Sequence, residues 1–184
     1  MNIIIETKDL ILRNIKLNDL NVLHEIRNEE YILKWMPDWK STKKETKQWI
    51  SEVIDFYDKQ NENDLWCQLV IEKKSDNAIL GIIALQTKFE VNNEIEIAYF
   101  ISEKYSGKGY MKQAAKAILE WGFDNYNFPF VIAIVETNNY PSQTVIESVG
   151  FKKVETRMIL NSGEEKEKPF FYYRYDKKIY HSKN

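Results

Sequence analysis

The sequence predicts an α/β fold: a mixed, mostly antiparallel sheet of about seven strands with about four helices. Three observations carry that prediction. From Glu94 to Ile101 the side chains alternate, with Ile95, Ile97, Tyr99 and Ile101 on one side and Glu94, Glu96, Ala98 and Phe100 on the other. That is the period-two pattern of a strand. Two further strand-like segments precede it, separated by short polar turns, so the three read as an antiparallel meander. After it, Met111, Ala114, Ala115, Ile118, Leu119 and Gly122 recur at helical spacing, followed by the apolar run Phe130–Val135. A helix between a strand and a continuous apolar run is the pattern of a crossover to a buried strand.

The other elements follow in chain order. Ile3 to Ile15 reads as a first strand, with a bend marked by Thr7 and Asp9. Asn18 or Asp19 is placed to cap a helix carrying Leu20, Leu23 and Ile26. Trp35, Pro37 and Trp39 then interrupt the pattern. Ser41 or Thr42 opens a second helix with Trp49, Val53 and Phe56 on one face, although Lys40, Lys43 and Lys44 oppose the dipole at its start. Gln60 to Asp64 is a polar loop. Leu65–Lys73 and Ala78–Gln86 are strands joined by the turn Lys74–Asn77, and Glu90–Asn93 is the next turn. Asn139 to Ser148 is helical and Gly150 stops it. Phe151–Leu160 and Phe170–Tyr175 form a last hairpin around the charged loop Asn161–Lys168. Residues 1–184 are expected to form one domain, with 177–184 as a loose tail.

Composition excludes several classes. Hydrophobic residues at 43% against 29% charged residues mark a globular chain. A net charge of −2 advertises no basic face for nucleic acid. The start, Met1 to Leu10, is interrupted by Glu6, Lys8 and Asp9, so it is no signal peptide, and no later stretch suits a membrane span. A cytoplasmic location is expected. The single cysteine, Cys67, lies in an apolar run and reads as a buried strand residue. With only His24 and His181 beside it, neither a zinc site nor a Ser-His-Asp hydrolase is expected.

The loop Ser102–Gly109 holds two of the chain's six glycines, Gly107 and Gly109. It sits between a strand and a helix N-terminus, whose first N–H groups lack partners within the helix. Glycines admit a phosphate close to the backbone, and Lys104 and Lys108 add positive charge. The spacing does not fit a Walker A loop, because Ser102 stands where its first glycine belongs and Gly109 follows Lys108. Nor does it fit a dinucleotide fingerprint, because Lys112 stands at the third glycine.

Lys104-Tyr105-Ser106-Gly107-Lys108-Gly109 resembles the (Gln/Arg)-x-x-Gly-x-(Gly/Ala) loop of the GNAT family of N-acetyltransferases. Glu96–Ile101 followed by Gly107–Tyr110 resembles its ribosomal-protein N-acetyltransferase (RimJ/RimL-like) branch. A departure is Lys104 in place of Gln or Arg, which keeps charge but loses the planar fork. A second motif, Asn139 and Ser142 in a helix ending at Gly150-Phe151, resembles the family's Asn-x-x-Ser helix. Ile146 stands where some relatives carry a Tyr general acid, so that version of the chemistry is absent.

What the resemblance implies is specific. The fold would be the single-domain GNAT fold, its fourth and fifth strands splayed to admit a pantetheine arm. The cosubstrate would be acetyl-CoA, with no metal, held by Phe100, Ile101, Lys104, Tyr105, Ser106, Gly107, Lys108, Gly109, Tyr110, Asn139 and Ser142. An acetyl group would pass by direct attack to a primary amine, either a small molecule or a protein N-terminus. Glu96 would be the general base, with Glu94 as its rival and a solvated strand carboxylate as the plainer reading. Ser142 would donate to the departing thiolate, with helix capping as its plainer reading. Trp35 and Trp39 would wall the acceptor site, or else pack the core. No acidic cluster is dense enough for a lysine in a large basic partner, so an α-amine or small amine is expected. The chain would act as a monomer or homodimer, without nucleic acid or membrane. Two other classes share this sequence: a non-catalytic acyl-CoA sensor on the same fold, and a structural or interaction domain.

Overall fold

The computed structural model describes residues 2–59, 64–160 and 166–181. Most of the expected loop at 60–64 and part of that at 161–168 lie outside the described residues. Eight strands form one sheet: β1 (Ile4–Glu6), β2 (Leu10–Asn14), β3 (Trp66–Lys73), β4 (Ile79–Lys88), β5 (Glu94–Ile101), β6 (Phe130–Glu136), β7 (Lys152–Ile159) and β8 (Lys168–Asp176). Their order across the sheet is β1-β2-β3-β4-β5-β6-β8-β7. Among the described residues only β5 and β6 run parallel, as the crossover requires. The helices are α1 (Leu20–Arg27), α2 (Glu30–Leu33), α3 (Lys43–Phe56), α4 (Tyr110–Asn125), α5 (Tyr140–Val149) and α6 (Lys177–His181).

The counts exceed the expectation for local reasons. The expected first strand is divided at the Thr7–Asp9 bend. There the Thr7 hydroxyl donates to Gln113 Oε1 at 2.8 Å, and Gln113 Nε2 donates to Asp9 Oδ2 at 2.8 Å. A side chain of α4, more than a hundred residues away, therefore holds the bend. Family strand four is consequently β5 here, and family helix three is α4. The expected loose tail is partly helical, since Lys177–His181 form α6. Lys177 N–H donates to the Pro129 carbonyl at 2.9 Å, which ties the helix to the start of β6.

The start of α1 differs from the sequence reading, while that of α3 is capped by Thr42 as expected. Asp19 does not cap α1 through its side chain. Its Oδ2 accepts the Lys16 N–H at 2.8 Å, and its two oxygens receive Arg13 at 2.8 and 2.9 Å. Arg13 Nε also reaches Glu72 at 2.6 Å. The bidentate Arg13–Asp19 pair fixes the entry to α1, and the Glu72 contact ties β2 to β3. At α3 the three lysines are offset by a capping box: Glu45 N–H donates to Thr42 Oγ1 at 3.3 Å, and Thr42 N–H to Glu45 Oε2 at 2.7 Å. The carboxylate answers both an orphan donor and the dipole.

The core runs along the middle of the sheet. Leu69, Ile71, Leu80, Ile83 and Leu85 of β3 and β4 are fully buried, as are Leu23 of α1, Ile50 of α3 and Ile118 of α4. Cys67 is buried on β3, where loss of water pushes its thiol up to about 12. A thiol so placed is not a nucleophile at neutral pH. Gly81 of β4 faces β5 so closely that a Cβ would strike the Phe100 carbonyl oxygen. The register of the two strands depends on that absence.

Candidate active site

β4 and β5 pair along their full length, from Gly81↔Ile101 to Lys88↔Glu94. β5 and β6 share a single ladder pair, Glu96↔Ile132. Beyond it the two parallel strands part. A cleft of about 1160 Å³ opens there and runs from the Tyr105–Lys112 region and α5 to the Trp35–Trp39 segment and the β4–β5 turn. This is the splay that the resemblance to the family implies.

One end of the cleft is built by the glycine loop. Gly107 and Gly109 have φ of 71° and 81°, a left-handed backbone that L side chains rarely adopt. A Cβ on either would meet nothing within 4 Å, so the space above the loop is open. No side chain caps α4, so its first N–H groups remain available to an anion. Tyr105, Ser106, Gly107, Gly109 and Tyr110 line this end, with Phe100 and Ile101. The two expected lysines are not in that lining. Lys108 Nζ turns back to the Lys104 carbonyl at 2.7 Å, and the Lys104 ammonium lies 5.1 Å from the Tyr105 ring centre. Their positive charge reaches the loop through space rather than through its wall.

α5 forms the facing wall. Asn139 Oδ1 accepts the Ser142 N–H at 3.2 Å, so Asn139 is the cap and Ser142 the capped residue. The capping reading of Ser142 therefore fails. Its carbonyl accepts the Tyr99 hydroxyl at 3.2 Å, and both Asn139 and Ser142 line the cleft. Ile146 is buried on the same wall.

Glu96 stands where the strands part. It is 7% exposed, so it is not a solvated strand carboxylate. Gln86 Nε2, directly across on β4, donates to its Oε2 at 3.2 Å. Burial pushes its carboxyl above the ordinary 4.5. Lys88 and the bonds from Gln86 and the Ile134 backbone oppose that rise, and Glu90 adds to it. Glu94, its rival, receives the Tyr172 hydroxyl at 2.8 Å and is not part of the lining.

Trp35 and Trp39 both line the cleft. Trp39 also packs edge-on to Phe100 at 5.4 Å between ring centres, and the Arg27 guanidinium lies 5.3 Å from its ring. Trp39 therefore lines the cleft and packs against Phe100 at once.

Several residues of the cleft escape the sequence reading. Tyr31 of α2 bonds its hydroxyl to Ser106 Oγ at 2.9 Å, and Glu29 Oε2 accepts the Glu103 N–H at 2.9 Å. Both bonds tie the segment before Trp35 to the glycine loop across more than seventy residues, and no local pattern announces them. Tyr99 was expected to share a face with the apolar residues of β5, yet its hydroxyl reaches α5. Gln86 was missed by one step of register: counting outward from a turn at Glu90–Asn93 places Thr87 opposite Glu96, whereas the strands pair Lys88 with Glu94 and so bring Gln86 there.

Comparison with known proteins decides the family. Residues 9–152 match the Acetyltransferase (GNAT) domain. The chain belongs to the GNAT acetyltransferase family. Among its relatives, the uncharacterized N-acetyltransferase YnaD of Bacillus subtilis (strain 168) is 26% identical over 149 residues, covering 81% of this chain and 82% of YnaD. The spermidine N(1)-acetyltransferase of Escherichia coli (strain K12) is 26% identical over 140 residues, covering 76% and 71%. The structure of RimL, a ribosomal-protein α-N-acetyltransferase in complex with coenzyme A, superposes with a TM-score of 0.79 at 16% identity, covering 95% of this chain and 98% of RimL. The fold is the GNAT fold, and an acyltransferase enzyme is favoured over a sensor or a structural domain. No helix among the described residues is long and apolar enough to cross a membrane.

Proposed function

We propose that this chain transfers an acetyl group from acetyl-CoA to a primary amine, by direct attack within a ternary complex. The observation that carries the reading is the parting of β5 and β6 after a single ladder pair, with the open glycine loop at one end and buried Glu96 at the junction. The residues present fit the cosubstrate. Backbone N–H groups from Tyr105 to Tyr110 would hold its pyrophosphate, as an uncapped helix start does for anions. Phe100, Ile101 and Asn139 would flank its arm.

Acetyl-CoA supplies an already activated thioester, so the work left to the protein is positioning and one proton. Glu96 accepts the proton of the incoming amine, directly or through water. An α-amine with an ordinary value of roughly 7.7–8.0 needs less help than a lysine near 10.4. A backbone N–H near Phe100 faces the developing oxyanion. The Ser142 hydroxyl donates to the departing sulfur. The acceptor is a small amine or a protein N-terminus, and neither nucleic acid nor membrane enters the reaction.

The test is kcat/KM against pH for the wild type, Glu96→Gln and Glu94→Gln. A base must be ionised to act, and burial raises the Glu96 value. The wild-type acidic limb should therefore fall at a pH above 4.5. Glu96→Gln should lose that limb and about 10²–10⁴-fold in rate, while Glu94→Gln keeps both. Wild-type behaviour of Glu96→Gln at every pH would mean that the amine arrives neutral and that the protein acts by positioning alone.

A further inference from the structure

The part of the cleft outside the glycine loop itself has a definite chemistry. Its walls are rings: Trp35, Trp39, Phe56, Trp66 and Phe89. Phe56 and Trp66 hold each other edge-to-face at 5.7 Å. Phe89, the first residue of the β4–β5 turn, leaves 70% of its surface exposed at the mouth. A large aromatic held out at the rim of a cleft is an unfilled contact, since its ring loses water only when something lies against it.

The charges of this part are already engaged or solvated. Lys88 Nζ lies 3.4 Å from Glu90 Oε2, so the one lysine here is paired with the nearest acid. Glu96 is buried beside Gln86 and is reserved for the reacting amine. Asp38 and Asp64 are exposed and remain in water. A second ammonium brought into the cleft would meet rings, with Asp38, Asp64 and Glu90 offering it only solvated contacts and Glu96 the one buried carboxylate among these acids. A carboxylate on the acceptor would meet Glu90 and Glu96 and find Lys88 taken. What the walls complement is one amine on an apolar, flat body.

We infer that the acceptor is a primary amine borne on an aromatic or bulky apolar body, and not a polyamine chain. The inference rests on the acetyl-transfer reading and narrows it. The same chemistry has two sources, a free arylalkylamine and a peptide N-terminus that begins with an aromatic residue.

Initial rates with acetyl-CoA would be compared for 2-phenylethylamine, ethylamine, spermidine, and two tetrapeptides differing only in an N-terminal Phe or Asp. The aryl amine or the Phe-led peptide should exceed spermidine and its own apolar-free counterpart by at least about tenfold in kcat/KM. Whichever of the two is faster identifies the source. Phe89→Ser, at an exposed position that leaves the fold intact, should raise KM for the preferred aromatic acceptor more than for ethylamine. Trp35→Ala should do the same. Spermidine equal to or better than the aromatic acceptors would overturn the acceptor class and uphold acetyl transfer. So would an equal effect of Phe89→Ser on every amine. No turnover of any amine, with acetyl-CoA still bound in calorimetry, would also overturn the class. Loss of both turnover and acetyl-CoA binding in the folded wild type would instead overturn acetyl transfer itself.

Discussion

Gly109 is a position where binding can be separated from folding. It is the residue before α4, with φ of 81° and open space where a Cβ would stand. In Gly109→Ala only the backbone preference opposes folding, because no atom is struck. A left-handed L residue costs about 1–2 kcal/mol. In a chain of this size that lowers the melting temperature by about 2–8 °C. Gly109→Asp should cost less, because Asp tolerates this conformation and its carboxylate is favourable at a helix N-terminus. For a pyrophosphate the same carboxylate is an obstacle. Two unit charges 4 Å apart repel by about 4 kcal/mol at an effective dielectric of 20. The site is exposed and screened, so a third of that is a safe expectation, equal to about tenfold in Kd. The assay is calorimetric titration with acetyl-CoA beside a thermal melt. Gly81→Ala is the contrasting control, since its Cβ would strike the Phe100 carbonyl and force β4 from β5. It should lose fold and binding together. A Gly109→Asp protein that folds and binds acetyl-CoA with wild-type affinity would refute the placement of the pyrophosphate on this loop.

Two further outcomes follow from the same geometry. Ser142→Ala should lower kcat on the order of 10²-fold with little change in melting temperature, because the cap on α5 uses the Ser142 backbone and not its hydroxyl; a lower melting temperature with unchanged kcat would make the residue structural. Glu96 should also leave a mark on stability, since its carboxyl value is raised by burial. Between 4.5 and that raised value the folded state keeps a proton that the unfolded chain has lost, so wild-type stability falls as pH rises through the window. Denaturant titrations across pH should show Glu96→Gln lacking this decline, and parallel curves for the two proteins would contradict the buried placement.

The residues that were legible in the sequence are those whose signal is local. Strand alternation from Glu94 to Ile101, the helical spacing after Gly109, and the stop at Gly150 each reflect a backbone preference written within a few positions. Gly150 has φ of 115°, which is why it ends α5. The Lys40, Lys43 and Lys44 start of α3 looked unfavourable because charge was counted without the Thr42–Glu45 exchange, though both residues stand at the spacing of a capping box. What could not be read are partners set by the crossover. Gln113 on the Thr7–Asp9 bend, Tyr31 on Ser106 and Tyr99 on the Ser142 carbonyl join positions between 43 and 106 residues apart. Each is a polar group finding the nearest available partner after the apolar faces have packed.

Alternation also misleads about β5 itself, for a physical reason. In a strand paired on both edges, only the odd or the even residues face a given cavity. Here six consecutive residues, Glu96 to Ile101, line the cleft. They do so because the strand loses its β6 neighbour after Glu96 while keeping β4 along its whole length. The cleft is open toward the edge of the strand as well as its faces. An edge without a neighbouring strand presents backbone N–H and C=O groups, which need water or a ligand to satisfy them. The opening proposed to admit the cosubstrate therefore supplies backbone donors at the place where the proposed oxyanion would form. Glu96 is the last residue held by both neighbours, so its carboxylate is fixed and dry at the point where the site begins.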